Sequence, residues 1–329
     1  MTTPNEMLNE HHMENTIPHQ RVNVMLSDGG FIKRIPSRTY PQLRGGKGVI
    51  GIVSRESDAV RLLTVADIHD SLLFFTNRGK AFGIRCQEIP AETYRAAKGT
   101  DVRKLFPIAE CERITAMIPV TKIKPDLLFV MATRNGEVKK TAGSYFASVR
   151  SSGLIAIDLE EGDEIVAASL ATDQDDVILV TQRGKAITFA VSSLRAASRT
   201  SGGVRGVNLA SGDHVVGMDI VRPKSLILLI TVNGYGKLVP VTSFRRQRRG
   251  GIGVMTFSLN DKTGDLALAK LVTKIQQLMI ISRDGVVIDT PLLGKDPRQG
   301  IPVCQRGAQG VRLLRLDPGD KVVAVVAFD

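Results

Sequence analysis

The sequence predicts an all-β fold, a six-bladed propeller-like disc built from four-stranded repeats of roughly 50 residues, and three observations carry the prediction. A hairpin signature, an apolar strand ending in Ser or Thr followed by two residues and Gly, occurs six times, with the glycines at Gly30, Gly79, Gly136, Gly184, Gly234 and Gly285. Each copy is followed by a glycine-bearing loop with nearby cations and then by a closing apolar run. No stretch reads as a helix longer than a turn or two. One such unit cannot bury its own apolar face, so six of them stack around an axis.

In chain order, residues 1–20 form a polar lead-in with no hydrophobic signal region. Residues 21–329 form one domain, with blades near 21–70, 71–120, 121–172, 173–222, 223–273 and 274–329. The hairpins pair runs such as Leu73-Phe74-Phe75-Thr76 and Leu229-Ile230-Thr231 with a second strand beyond the turn. Gly supplies the positive φ of the turn, and Asn77, Asn135 and Asn233 suit the same chemistry. The loops are read at Gly48, Gly99 (after Arg95 and Lys98), Gly153 (after Arg150), Gly206 (after Arg205), Gly253 (after Arg249) and Gly310 (after Arg306). The closing runs begin at Val60, Arg113, Glu164, His214, Asp265 and Lys321, the last ending within three residues of the C-terminus.

Composition narrows the function classes. With 44 basic and 33 acidic residues the net charge is +11, which points to a polyanionic partner, nucleic acid before membrane. No apolar run approaches the ~18 residues of a spanning helix. Trp is absent and aromatics are 5%, too few for a base-stacking platform. Cys86, Cys111 and Cys304 have no CxxC spacing, so neither a disulfide framework nor a zinc site is expected, and the setting is a reducing cytoplasm. His11 and His12 lack a third ligand nearby and read as solvent-exposed.

The loops carry the candidate binding chemistry. Gln42, Arg44, Gly45, Gly46, Lys47 and Gly48 put cations and an amide on a backbone that glycine lets approach a partner closely, a design for gripping phosphates. Arg245, Arg246, Gln247, Arg248, Arg249, Gly250 and Gly251 form a second copy, in which crowded arginines repel one another without an anionic partner. Lys98, Arg150, Arg205 and Arg306 are the corresponding cations of the other loops. A solvated turn is the plainer reading for the loops at Gly153 and Gly206, and the glycines themselves also serve a turn at the blade edge.

Gln42-Leu43-Arg44-Gly45-Gly46-Lys47-Gly48 closely resembles the signature box of the C-terminal domain of bacterial DNA gyrase A, QRRGGKG, with Leu43 where the family has Arg. The resemblance extends through Asp70–Lys80 and Glu112–Ala116 and covers about residues 20–329. It implies a β-pinwheel whose basic rim binds, bends and wraps double-stranded DNA without regard to sequence, in support of negative supercoiling and in the bacterial nucleoid. It also implies partners, the gyrase A N-terminal catalytic core and gyrase B, with ATP and magnesium belonging to those other parts and no cofactor here.

A catalytic reading finds little. Tyr40, Tyr94, Tyr145 and Tyr235 do not sit in a context resembling the family's cleavage tyrosine, which belongs to a separate N-terminal region. No Walker loop, HExxH or acidic metal cluster is present, and Asp175, Asp176, Glu160 and Glu161 read as loop charges. The alternatives are a topoisomerase IV-type DNA-bending domain and a protein-interaction propeller with an acidic partner.

Overall fold

The computed structural model describes residues 18–36, 58, 60–93, 97–272, 277–284, 286–293 and 300–328. The first strand of each hairpin, next to the inner strand, is largely apolar on both faces, because each sheet is sandwiched between two neighbours. In β4 (Ser71–Thr76), Leu72 and Phe74 point toward one side and Leu73 and Phe75 toward the other, as the two-residue period of a strand requires. All four are at most 3% exposed. The core is therefore six slabs, one between each pair of adjacent sheets.

The first sheet has the order β3 (Val60–Asp67), β1 (Arg21–Ser27), β2 (Phe31–Pro36) and β6 (Thr100–Asp101), all antiparallel. The second runs β7 (Ile114–Val120), β4, β5 (Lys80–Arg85) and β10 (Leu154–Ile155). The third runs β11 (Ile165–Ala171), β8 (Leu128–Thr133), β9 (Glu137–Ala142) and β14 (Val204–Arg205). The fourth runs β15 (Val215–Val221), β12 (Asp176–Thr181), β13 (Lys185–Ala190) and β18 (Val254–Met255). The fifth runs β19 (Leu266–Val272), β16 (Leu226–Thr231), β17 (Tyr235–Pro240) and β22 (Val311–Arg312). Among the described residues the sixth has three strands, β23 (Val322–Phe328), β20 (Gln277–Ser282) and β21 (Val287–Pro291).

The six closing runs are the inner strands, and each packs against the next around the axis. β23 packs against β3, and Met25 and Ile35 share a slab with Met279 and Ile281, so the ring is closed. Helical structure among the described residues is limited to short 3-10 turns, and no helix there is long and apolar enough to cross a membrane.

The sequence repeat and the sheet differ by one strand. In the first five sheets the two-residue outer strand comes from the repeat that follows, so neighbouring blades are tied by main-chain pairing as well as by packing. Blade boundaries drawn from the sequence alone therefore cut each of these five sheets at its outer edge.

The hairpin signature has a physical reason at every position. The Ser or Thr hydroxyl accepts the backbone N–H four residues on in all six copies, at 3.0–3.4 Å, from Phe31, Lys80, Glu137, Lys185, Tyr235 and Val286. The described turn glycines have φ of 72–87°. In five of the six repeats an acid two residues before the inner strand then pins the tip: Asp58 holds the Gly29 amide, Glu112 the Thr76 hydroxyl, Asp163 the Asn135 amide, Asp213 the Arg183 amide and Asp320 the Asp284 amide.

Candidate nucleic-acid interface

The outer edge of the disc carries a series of arches, each leading from the end of a hairpin to the next short outer strand. The arch at 247–253 is fixed at its start by the Gln247 amide, which donates to the Thr188 carbonyl at 2.7 Å. It is fixed at its end by Val254–Met255, paired with Ala186 and Lys185. The same anchoring holds for Ala197 on Lys140, Glu92 on Arg34 and Cys304 on Leu238, at 2.8–2.9 Å. Gly253 is required by both conformation and space: its φ is +71°, and a Cβ there would lie 2.5 Å from the Ala186 carbonyl oxygen. The glycine of this arch thus serves the turn at the blade edge.

This alignment corrects the fourth loop. The residue equivalent to Gly253 is Gly203, and the arginine four residues before it is Arg199, as Arg249 precedes Gly253 and Arg306 precedes Gly310. Arg205 stands two residues beyond, on β14 opposite Glu137. The three equivalent arginines make one repeated contact: Arg199 Nη1 donates to the Ile155 carbonyl, Arg249 Nη1 to that of Arg205 and Arg306 Nη1 to that of Met255. Neighbouring arches are further joined by Asp158 N on Ser201 O, Asn208 N on Gly251 O and Ser258 N on Ala308 O, at 2.9–3.3 Å. The rim is a chained series.

The predicted cations divide into two groups. Arg150, Arg205, Arg245 and Arg248 are exposed, and their side chains have no partner among the described residues. Arg246 is engaged by Asp176, with Nη2 2.8 Å from Oδ1. Lys98 lies 4.4 Å over the Phe31 ring, while Arg249 and Arg306 each keep part of the guanidinium free beyond the contacts above. Gly250 donates to the Gly206 carbonyl at 2.8 Å, and Gly251 accepts from Asn208. The box residues Gln42, Arg44, Gly45, Gly46, Lys47 and Gly48 lie outside the described residues, as do His11, His12, Tyr40 and Tyr94.

Two buried lysines under the arches escaped the sequence reading. Lys237 Nζ donates to the carbonyls of Gln305, Arg306 and Ala308 at 2.6–2.9 Å and lies 4.8 Å over the Phe257 ring. Lys139 Nζ donates to Ala156, Arg199 and Ser201 at 2.7–3.0 Å. Burial lowers both to a pKa of about 8, against the raising influence of Cys304 on Lys237 and of Asp158 on Lys139. Lys33 bonds the Ala97 carbonyl at 2.6 Å in the same way. The signal was present: a lysine three residues after the turn glycine in repeats one, three and five, with Phe82 and Ile187 at that place in repeats two and four.

Of the tyrosines, Tyr145 is exposed on a 3-10 turn, and the Tyr235 hydroxyl accepts from Arg312 Nη2 at 2.8 Å. One group among the described residues has a metal-type donor set, His19, Asp67 and His69, with ligand atoms within 4.8 Å of one another. Its carboxylate already takes up the His69 amide and His19 Nδ1, and the three residues are too far apart in sequence to show as a motif.

Comparison with known proteins places these features in context. Residues 24–65, 70–121, 128–172, 175–222, 225–272 and 276–329 match the family described as DNA gyrase C-terminal domain, beta-propeller. The DNA gyrase A protein of Dehalogenimonas lykanthroporepellens is 48% identical over 94% of this chain. That of Halalkalibacterium halodurans is 44% identical over 96%. The chain spans 38% and 37% of the length of these relatives. A solved structure described as the DNA gyrase A C-terminal domain superposes with a TM-score of 0.78 at 25% identity, over 94% of this chain and 100% of that one. The crystal structure of the C-terminal domain of DNA topoisomerase IV superposes at 0.75 and 24% identity, over 95% and 94%, and shares the fold.

Proposed function

The chain belongs to the family of DNA gyrase C-terminal β-propeller domains, and on that premise we propose that it binds, bends and wraps double-stranded DNA around its outer rim. It does so without regard to base sequence, as a non-catalytic part of a type II topoisomerase that introduces negative supercoils. The observation that carries the reading is the chained series of arches, which sets the partner-free cations Arg150, Arg205, Arg245 and Arg248 along one continuous edge. Smooth bending of a 20–30 bp site through 40–90° costs on the order of 1–6 kcal/mol. Phosphate contacts repeated along a curved edge offset that cost, each releasing counterions, so binding falls steeply with salt. The gyrase A catalytic core and gyrase B are the partners in this reading, and ATP and magnesium act there, with no cofactor bound by the disc.

The test is ligation of nicked circular plasmid with increasing protein, followed by gel analysis of topoisomers. A progressive shift in linking number is expected. Binding without a shift leaves a DNA-bending domain of the topoisomerase IV kind, and no binding at low salt removes DNA. A second reading has one observation in its favour: Ile252 is 65% exposed and Val303 51% on the same rim, which suits a protein partner. Retention of an acidic protein in high salt, where DNA is released, would favour it.

A further inference from the structure

We propose that the arches at 304–310 and 197–203 are backbone phosphate cradles, in which buried Lys237 and Lys139 draw the loop carbonyls inward and so turn a set of amides outward. A trans peptide is planar and holds the C=O of one residue and the N–H of the next on opposite sides. The carbonyls of Gln305, Arg306 and Ala308 converge on the Lys237 ammonium, so the amides of Arg306, Gly307 and Gln309 face away from it. Those of Arg199 and Ser201 converge on Lys139, so the amides of Thr200 and Gly202 face away. None of these five amides has an acceptor among the described residues.

The Ser201 and Ala308 amides between them close turns onto the Ser198 and Gln305 carbonyls, at 3.3 and 3.1 Å, so each arch turns out a group of free amides of which Arg306 and Gly307 are consecutive. Outward amides grouped in this way carry partial positive charge toward solvent, the arrangement that takes a phosphate oxygen. The guanidinium of Arg306 stands at one cradle and that of Arg199 at the other, each tethered by one N–H and offering the rest. The lysine is hidden from a ligand: Lys237 is 0% exposed and Lys139 2%, so neither touches a phosphate. They are positioning residues, and the arches on blades one, three and five differ in this from those lying over Phe82 and Ile187. The inference rests on the DNA reading and supplies its contact chemistry: part of the grip comes from main-chain N–H groups.

The test is a titration of the isotope-labelled full chain with inorganic phosphate, followed by amide resonances, and a parallel measurement of duplex affinity across 50–200 mM salt. Shifts at Gly307, Gln309, Thr200 and Gly202 are expected in the wild-type chain and lost from the matching arch in Lys237→Met and Lys139→Met. The double variant is expected to bind duplex about tenfold more weakly with its salt slope unchanged, because no phosphate-contacting cation is removed, whereas Arg248→Ala lowers the slope by about one. Silent amides in a wild-type chain that binds duplex overturn the cradles and leave the DNA reading standing. Responsive amides in a chain that binds no duplex overturn the DNA reading and keep the cradles as anion sites. The wild-type titration needs no variant, so a misfolded lysine mutant does not blunt the test.

Discussion

Asp176, the first residue of β12, holds Arg246 in a two-point contact, with Oδ1 2.8 Å from Nη2 and Oδ2 accepting from Nε at 3.2 Å. Asp176 is 21% exposed and Arg246 59%, so the pair sits at the edge of the disc, where one of four crowded arginines is neutralised by the protein itself. Arg245 and Arg248 have no such partner among the described residues. Removing Arg248 is therefore expected to weaken duplex binding more than removing Arg246. Asp176→Asn, which frees Arg246, is expected to strengthen binding about two- to threefold and to raise the salt slope by up to about one. Anisotropy titrations at several salt concentrations check all three; equal losses for the two arginine variants would refute the division.

The buried lysines give duplex binding and stability opposite pH dependences. Lys139 and Lys237 lie at about 8 in the folded chain against 10.5 for an ordinary lysine. Between those values the unfolded chain holds protons that the folded chain has released, so their linkage makes the fold more stable as pH rises from about 8 toward 10.5. The groups facing them are Asp158 and Arg199 for Lys139, and Cys304 and the Phe257 ring for Lys237. Over the same window the ammonium that draws the arch carbonyls inward is lost. Duplex affinity is expected to fall as pH passes 8 while the urea midpoint rises, and Lys237→Met to flatten both curves.

Most of the fold was legible because each sheet lies between two others. A strand buried on both faces reads as an unbroken apolar run, and Leu72–Phe75 and Leu128–Ala132 are such runs, each closed by a Thr that the turn needs. The outer strands were not legible, since two residues such as Val204–Arg205 carry no period. The fourth arch slipped by three residues because Arg205-Gly206 imitates the pattern that Arg199 and Gly203 fulfil. Lys139 and Lys237 were passed over because a lysine is expected in solvent, and these are retained by main-chain acceptors that only the folded arch assembles. The pinning acids were hidden for the same reason: Glu112 and Asp163 have partners 36 and 28 residues away.

Glu112 is the clearest of those acids. Its side chain is 1% exposed and takes the Thr76 hydroxyl at 2.6 Å and Lys80 Nζ at 3.0 Å. Burial pushes its carboxyl up, but the hydrogen bonds from Thr76, Lys80 and the Ala109 amide outweigh it, and the group ends below its ordinary 4.5. Its contribution is thus present above pH 4.5 and is lost as the pH falls through the lowered value. Glu112→Ala leaves the buried Thr76 hydroxyl without its acceptor, a loss of about 1–3 kcal/mol. Denaturant unfolding at pH 7 is expected to show that loss, and at pH 3 a smaller one.

Gly253 separates the two demands that an arch makes on its glycine. Forcing a side chain into the left-handed region costs roughly 1–2 kcal/mol for an ordinary residue. At Gly162 the φ is +79° and nothing lies within 4 Å of an added Cβ, so Gly162→Ala should show that conformational cost alone. At Gly253 the φ is similar, +71°, but the added Cβ meets the Ala186 carbonyl at 2.5 Å, backbone against backbone, and Ala186 is paired with Val254. Relief requires the arch to lift from β13, which loosens the outer strand and the tether from Arg249 to Arg205. Gly253→Ala is therefore expected to lose about 1–2 kcal/mol more than Gly162→Ala in urea unfolding. It should also weaken duplex binding several-fold, whereas Gly162→Ala leaves binding unchanged. Equal losses of stability would mean that the arch yields freely and that its close seating on the hairpin does not set the position of the rim cations.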